Sequence, residues 1–198
     1  LNEVDVLTND QDGITKFVPI NYKGLQIMSV GILAKKEQGL AWRGPILTRL
    51  LNQFLYQVQW EDLDFLLIDL PPGTGDTQIT ILQDSPTIGM LLVTTSGIAS
   101  LSDLSRTISM YKTFGMPILG VVENLSSFKC PCCNSEYQLF ADNYSLNKYF
   151  GESIPIISKI PMIYQENKID NKNPFISSKY SFYFNEMSNK IINSLFVK

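Results

Sequence analysis

Apolar positions along the 198-residue chain fall into short continuous runs separated by stretches with helical spacing. The run LQIMSVGIL (25–33) reads as a buried strand. GPILTRLLNQFLYQV (44–58) reads as a helix with Pro45 near its first position. Its apolar residues Ile46, Leu47, Leu50, Leu51, Phe54, Leu55 and Val58 recur every three or four positions. DFLLIDL (64–70) and IGMLLVTT (88–95) are apolar on both faces and read as strands. SLSDLSRTISMYKTF (100–114) is a helix with Leu101, Leu104, Ile108 and Tyr111 on one side. Strands are expected at MPILGVVEN (116–124) and IPIISKI (154–160). The tail, 179–196, is an amphipathic helix whose inner face is expected to carry Phe184, Met187, Ile191 and Leu195.

Strands apolar on both faces and alternating with helices predict an α/β fold built on a parallel sheet. Ligands of such sheets bind outside the carboxyl ends of the strands. The informative positions are therefore Asp69 to Asp76, Thr94 to Gly97, Glu123 with Asn124, and Pro161. No internal repeat is visible, and the polar stretch 165–180 is too short for a domain linker. Residues 1–198 are expected to form a single α/β domain.

Composition agrees with a folded core: 44% of residues are hydrophobic and 18% charged. The net charge of −3 gives no bulk electrostatic reason to hold nucleic acid or an anionic membrane. No apolar run approaches the roughly 20 residues that span a bilayer, and no secretory signal opens the chain. The first residue is Leu, as in a fragment or a processed chain. There is no histidine, which removes any His-based triad, base or metal ligand within this chain. The three cysteines all fall within 130–133, so a disulfide framework is not expected and a reducing compartment fits.

The segment FLLIDLPPGTGDT (65–77) carries the first candidate chemistry. Its glycines resemble a phosphate-binding loop, but Asp76 stands where such a loop needs lysine, and a carboxylate there repels phosphate. No other segment supplies G-x-x-x-x-G-K-[ST]. The first half fits better as a Walker B strand, an apolar run ending in Asp69, whose carboxylate would hold magnesium directly or through water. The turn that follows can bring backbone N–H groups close to a terminal phosphate, because glycine has no side chain to block the approach. A buried strand ending in an Asp-started turn is the plain alternative.

FKCPCCNSEY holds the second. Cys130 and Cys133 form a C-x-x-C pair, a spacing that lets two thiolates meet one metal centre. One chain falls short of four good cysteine or histidine ligands, whereas a symmetric dimer with one pair from each chain has them. An iron–sulfur centre, a zinc site, a redox pair and a fortuitous cluster all remain open on the motif alone. Elsewhere, Trp42 and Arg43 suit a ligand face or a helix-entry turn equally, and capping explains Ser102 and Asp103 ahead of Arg106. The tail helix has too few cations for a membrane-surface helix, so packing on the sheet is expected and stable membrane binding is not.

DFLLIDLPPGTGDTQITILQ resembles the Mrp/ApbC family of iron–sulfur carrier ATPases, related to the MinD and ParA proteins. The resemblance continues through YKGLQIMSVGIL (22–33), WRGP (42–45), residues 91–133 and SKIP (158–161). It implies a P-loop NTPase-type three-layer sandwich, partial at its N-terminus, with the first strand, P-loop and first helix upstream of Leu1. It also implies a metal-binding loop insertion at 125–143. By the same resemblance Asp69 is the magnesium-side and catalytic aspartate, and Pro72 and Gly73 form the turn that senses the terminal phosphate. Asn124 contacts the nucleotide base, and Pro161 lies in the segment lining it. Ile163 stands where the family often has Asp, which weakens the base contact from that segment. Cys130 and Cys133 match the motif that binds a four-iron four-sulfur cluster bridging a homodimer, and Cys132 is an addition to it.

The implied activity is that of an iron–sulfur carrier or scaffold. It binds and slowly hydrolyses magnesium-ATP and delivers clusters to apoproteins alongside cluster-assembly factors, with no role for nucleic acid. The compartment is the cytoplasm or a mitochondrial or plastid matrix. The intact protein is expected to be an ATPase, and residues 1–198 alone to bind ATP poorly. The rivals are a MinD/ParA-like positioning ATPase and a zinc-bridged structural dimer.

Overall fold

The computed structural model describes residues 8–9, 16–33, 44–71, 73–140, 146–150, 153–163 and 178–196. The chain divides into two compact units, Leu1–Pro86 and Thr87–Lys198.

In the first unit, strand β1 (Thr8–Asn9) pairs antiparallel with β2 (Lys16–Phe17). Strand β3 (Ile20–Tyr22) then turns back on β4 (Leu25–Ile27) as a hairpin. Its two central residues, Lys23 and Gly24, have φ of 53° and 80°, the positive values that a two-residue hairpin turn of type I′ needs. The expected buried strand over 25–33 is therefore replaced by a half-exposed hairpin strand and a short helix, α1 (Val30–Leu33). The hairpin arises because Ile20, Tyr22, Leu25 and Ile27 alternate with polar or turn residues around Lys23–Gly24.

Helix α2 (Gly44–Tyr56) forms as its spacing predicts. Phe17 donates its N–H to the Gln57 carbonyl at 2.9 Å and accepts from the Gln59 N–H at 2.8 Å. This places its ring edge-on to Phe54, with 6.4 Å between centroids. Helix α3 (Asp76–Asp84) packs on α2 and buries Ile81 and Leu82.

Between these helices, residues 64–70 do not form the expected buried strand. Phe65, Leu66 and Leu67 are exposed, and no strand among the described residues pairs with them. An apolar run becomes a parallel strand only where a neighbour accepts its N–H and C=O groups.

The second unit is built on one sheet. Strand β5 (Met90–Thr94) and the long β6 (Ile118–Lys129) run parallel. β7 (Glu136–Gln138) returns antiparallel on the distal end of β6, and β8 (Ile156–Met162) runs parallel on the other side of β6. The sheet is thus parallel at its core, as expected, with one antiparallel addition. β6 continues five residues beyond the expected strand end at Asn124.

Helix α4 (Ile98–Thr113) buries Leu101, Leu104, Ile108 and Tyr111, the four residues its periodicity selects. After the short α5 (Leu146–Phe150), helix α6 (Ser178–Phe196) packs on the core formed by Val122, Ile157 and Ile160. Tyr180, Tyr183, Met187 and Ile191 make that contact. Phe184, expected inward, is exposed. Aromatic residues at 180, 182, 183 and 184 crowd most of the circumference there, so the sheet rather than the local pattern sets the helix phase.

At Gly120 the neighbouring β8 segment leaves no room for a side chain. Its φ is 155°, and a Cβ there would lie 2.4 Å from Ile157 Cγ1 and 2.7 Å from the Pro155 carbonyl oxygen. The register between β5 and β6 shifts at the same place, between Met90 and Leu91. Among the described residues no helix is long and apolar enough to cross a membrane.

Candidate functional site

The expected site residues fall into three local arrangements. In the first unit, Asp69 is exposed and precedes a turn whose Gly73 has φ of 98°. Nothing lies within 4 Å of a Cβ built on Gly73, so the backbone angle rather than crowding requires glycine there. The turn is pinned from behind: buried Gln78 donates its side-chain Nε2–H to the Pro71 carbonyl at 2.9 Å. Gly75 caps α3 through its backbone alone. A glycine-rich turn leading into a helix N-terminus offers N–H groups to an anion. One exposed carboxylate fits magnesium only if phosphate oxygens and waters complete its shell. Pro72, Trp42 and Arg43 lie outside the described residues.

In the second unit, Asn124 and Pro161 come together. Asn124 of β6 stands opposite Ile160 of β8, so Pro161 follows directly on the neighbouring strand. The ladder loses register between Asn124 and Phe128, where Pro161 has no N–H to donate. Leu125 adopts φ of 53°, and its N–H donates to Asn124 Oδ1 at 3.0 Å. The asparagine is thus held by its own chain at a break in the ladder, of the kind found beside binding sites.

Beside it, Glu123 is buried. Ser96 Oγ donates to Glu123 Oε1, and Lys159 Nζ lies 3.1 Å from Oε2. Ser96 lies just past the carboxyl end of β5, whereas Glu123 and Lys159 face each other within the β6–β8 ladder. The sequence reading named Ser96 and Glu123 by position and missed Lys159. The available signal was a lone cation inside the apolar run IPIISKI, matched by a lone anion at the end of ILGVVEN.

The cysteines occupy the turn joining β6 to β7. The Cys130 N–H donates to the Ser135 carbonyl at 2.9 Å, and the Asn134 N–H donates to the Cys130 carbonyl at 3.0 Å. Asn134 takes the left-handed angle, φ 58°, that closes the turn, a conformation asparagine tolerates. Ser127 Oγ donates to Glu136 Oε1 at 2.6 Å across the strands below.

Cys130 is half-buried, and Cys132 and Cys133 are exposed. Cys133 Sγ and Ser135 Oγ are 3.3 Å apart. Hydrogen bonds from the Ser135 side chain, then its backbone, then the Cys130 side chain favour the Cys133 thiolate and hold its pKa below the ordinary cysteine value. The thiolate, the form that binds metals, therefore persists to lower pH. Ser135 is a further residue the sequence reading missed; its signal is a hydroxyl two positions after a candidate ligand. Among the described residues no three His, Cys, Asp or Glu side chains are grouped closely enough to hold a metal ion.

Ser102, Asp103 and Arg106 lie on the exposed surface of α4, where Arg106 bonds Asp103. That is an ordinary helix-surface pair.

A family model described as NUBPL iron-transfer P-loop NTPase, within the ParA group, matches residues 3–196. An iron–sulfur cluster carrier protein of Helicobacter pylori is 40% identical over 162 residues, covering 82% of this chain and 44% of the relative. An Arabidopsis thaliana protein described as an iron–sulfur protein required for NADH dehydrogenase, mitochondrial, is 39% identical over 147 residues, 74% of this chain and 47% of its own length. The iron–sulfur cluster transfer protein NUBPL of Dictyostelium discoideum is 36% identical over 149 residues, with 75% and 46% coverage. The chain thus spans a little under half the length of these relatives.

Among solved structures, a nucleotide-binding protein of Archaeoglobus fulgidus in complex with ADP is similar with a TM-score of 0.59 and 26% identity. The match covers 93% of this chain and 65% of that one.

Proposed function

The chain belongs to the NUBPL iron-transfer P-loop NTPase family, and from that premise we propose that it carries an iron–sulfur cluster as cargo and hands it to apoproteins. The observation that carries this reading is the Cys130–Cys133 pair at a hairpin tip, Cys130 half-buried and Cys133 exposed beside Ser135, which biases it towards its thiolate. Two thiolates per chain suit a four-iron four-sulfur cluster shared by two chains, because such a cluster takes four cysteines. Its partners are a second copy, recipient apoproteins and cluster-assembly factors. The compartment is reducing, the cytoplasm or a mitochondrial or plastid matrix, and the mitochondrial relative supports the second.

In the same reading the nucleotide supplies the free energy that times delivery, through slow hydrolysis in the whole protein. Asp69 would hold magnesium or its waters, and the turn of Pro72 and Gly73 would meet the terminal phosphate. Asn124 and Pro161 would meet the base, and their adjacency across β6 and β8 supports a shared task. The ADP-bound neighbour supports nucleotide binding by this fold.

Anaerobic reconstitution with ferrous iron and sulfide tests the cargo. The wild-type chain should develop the broad visible absorbance of a thiolate-bound cluster, and Cys130→Ala/Cys133→Ala should develop none. A chromophore that survives in the double variant rejects the assignment. Zinc found in place of iron after anaerobic purification favours the structural-dimer alternative.

A further inference from the structure

Three thiols within four residues are not equivalent here. Cys130 sits at the base of its turn, fixed by backbone hydrogen bonds to Ser135 and Asn134. Cys133 is engaged with Ser135 and, through its thiol, with Cys130. Cys132 is exposed, and no third ligand converges with the other two among the described residues. Pro131 fixes φ next to Cys130, and Cys132 follows it directly beside Cys133. A thiol that does not converge adds nothing to holding a cluster. Placed one residue from the outer, exposed ligand, however, it is positioned to replace that ligand.

We propose that Cys132 is an exchange ligand for cluster release: during hand-over its thiolate would displace that of Cys133 from the cluster before a recipient's thiolates take the cargo. The inference rests on the carrier reading above. The step balances without an added oxidant or reductant. The Cys132 thiol gives its proton to water, its sulfur forms a bond to iron as the Cys133–iron bond breaks, and the freed Cys133 thiolate takes a proton from water. No electron moves, and the cluster keeps its charge. Access is one of the factors that set how fast a thiolate attacks, and Cys132 is exposed.

The test compares the full wild-type chain with Cys132→Ser after anaerobic reconstitution, through three readouts. These are the visible absorbance per chain, the rate of transfer to an apo-ferredoxin whose four cysteines accept such a cluster, and the rate of iron loss to a bipyridine chelator, which brings no thiolate. Cys132→Ser should load as the wild type does and lose iron to the chelator at an unchanged rate. Its transfer to the apo-ferredoxin should slow roughly tenfold, the lower end of what removing a supporting group at a metal site does. An unchanged transfer rate overturns the inference. So does failure of Cys132→Ser to load, which makes Cys132 a holding ligand instead. A wild-type chain that takes up no cluster overturns the carrier reading itself, and is told apart because the defect is then not confined to the variant.

Discussion

Residues 64–70, DFLLIDL, and residues 116–124, MPILGVVEN, carry the same pattern of an apolar run ending at a polar residue of the candidate site. The second forms the centre of a sheet, with β5 on one side and β8 on the other, and Val121 is only 1% exposed. The first has no strand partner among the described residues, and Leu67 is 90% exposed. Composition does not separate the two runs. What separates them is whether neighbouring strands pair with the run and cover its side chains. A strand is a relation between segments, and an apolar run states only one side of it.

Three substitutions probe this contrast. Val121→Asp should have the largest effect. It buries an unpaired carboxylate in the sheet centre, and a loss above about 4 kcal/mol is expected, seen as the absence of a cooperative urea transition. Gly120→Ala comes next, at about 2–3 kcal/mol, from crowding and backbone strain together. The Ile157 side chain can shift away from the new methyl, but the Pro155 carbonyl cannot. A urea midpoint unchanged from wild type would show that β6 and β8 are less closely apposed than described. Leu67→Asp should have the smallest effect, within about 0.5 kcal/mol, as for an exposed surface position. Should Leu67→Asp unfold the chain as Val121→Asp does, the two segments are equivalent after all and the contrast fails.

Much of the second unit was legible in the sequence, because its elements bury one clear stripe. The inward face of α4 follows from spacing alone, and β5, β6 and β8 lie where continuous apolar runs predict them. The cysteine turn was legible as a place, because three cysteines in four residues stand out in the sequence, but its hydrogen-bonded turn geometry was not. Legibility fails where a neighbour decides. The Lys23–Gly24 hairpin has the turn chemistry, but its strands are too short to stand out from the apolar run that follows. The phase of α6 depends on the sheet beneath it. The Ser96–Glu123–Lys159 cluster joins three strands distant in sequence, so no local window contains it. Ser135 acts through a hydroxyl at hydrogen-bonding distance, which spacing alone does not reveal.

Asn124 lies within β6, and Cys130 follows directly on its last residue. The six residues from one to the other span at most about 20 Å, and the bend at Leu125 lies at the near end of that span. Beyond the bend the strand is tied on both sides, by β7 along Ser127–Lys129 and by Met162 of β8 opposite Phe128. The cysteine turn is therefore mounted on paired strand rather than on free loop, which limits how far its thiols can wander.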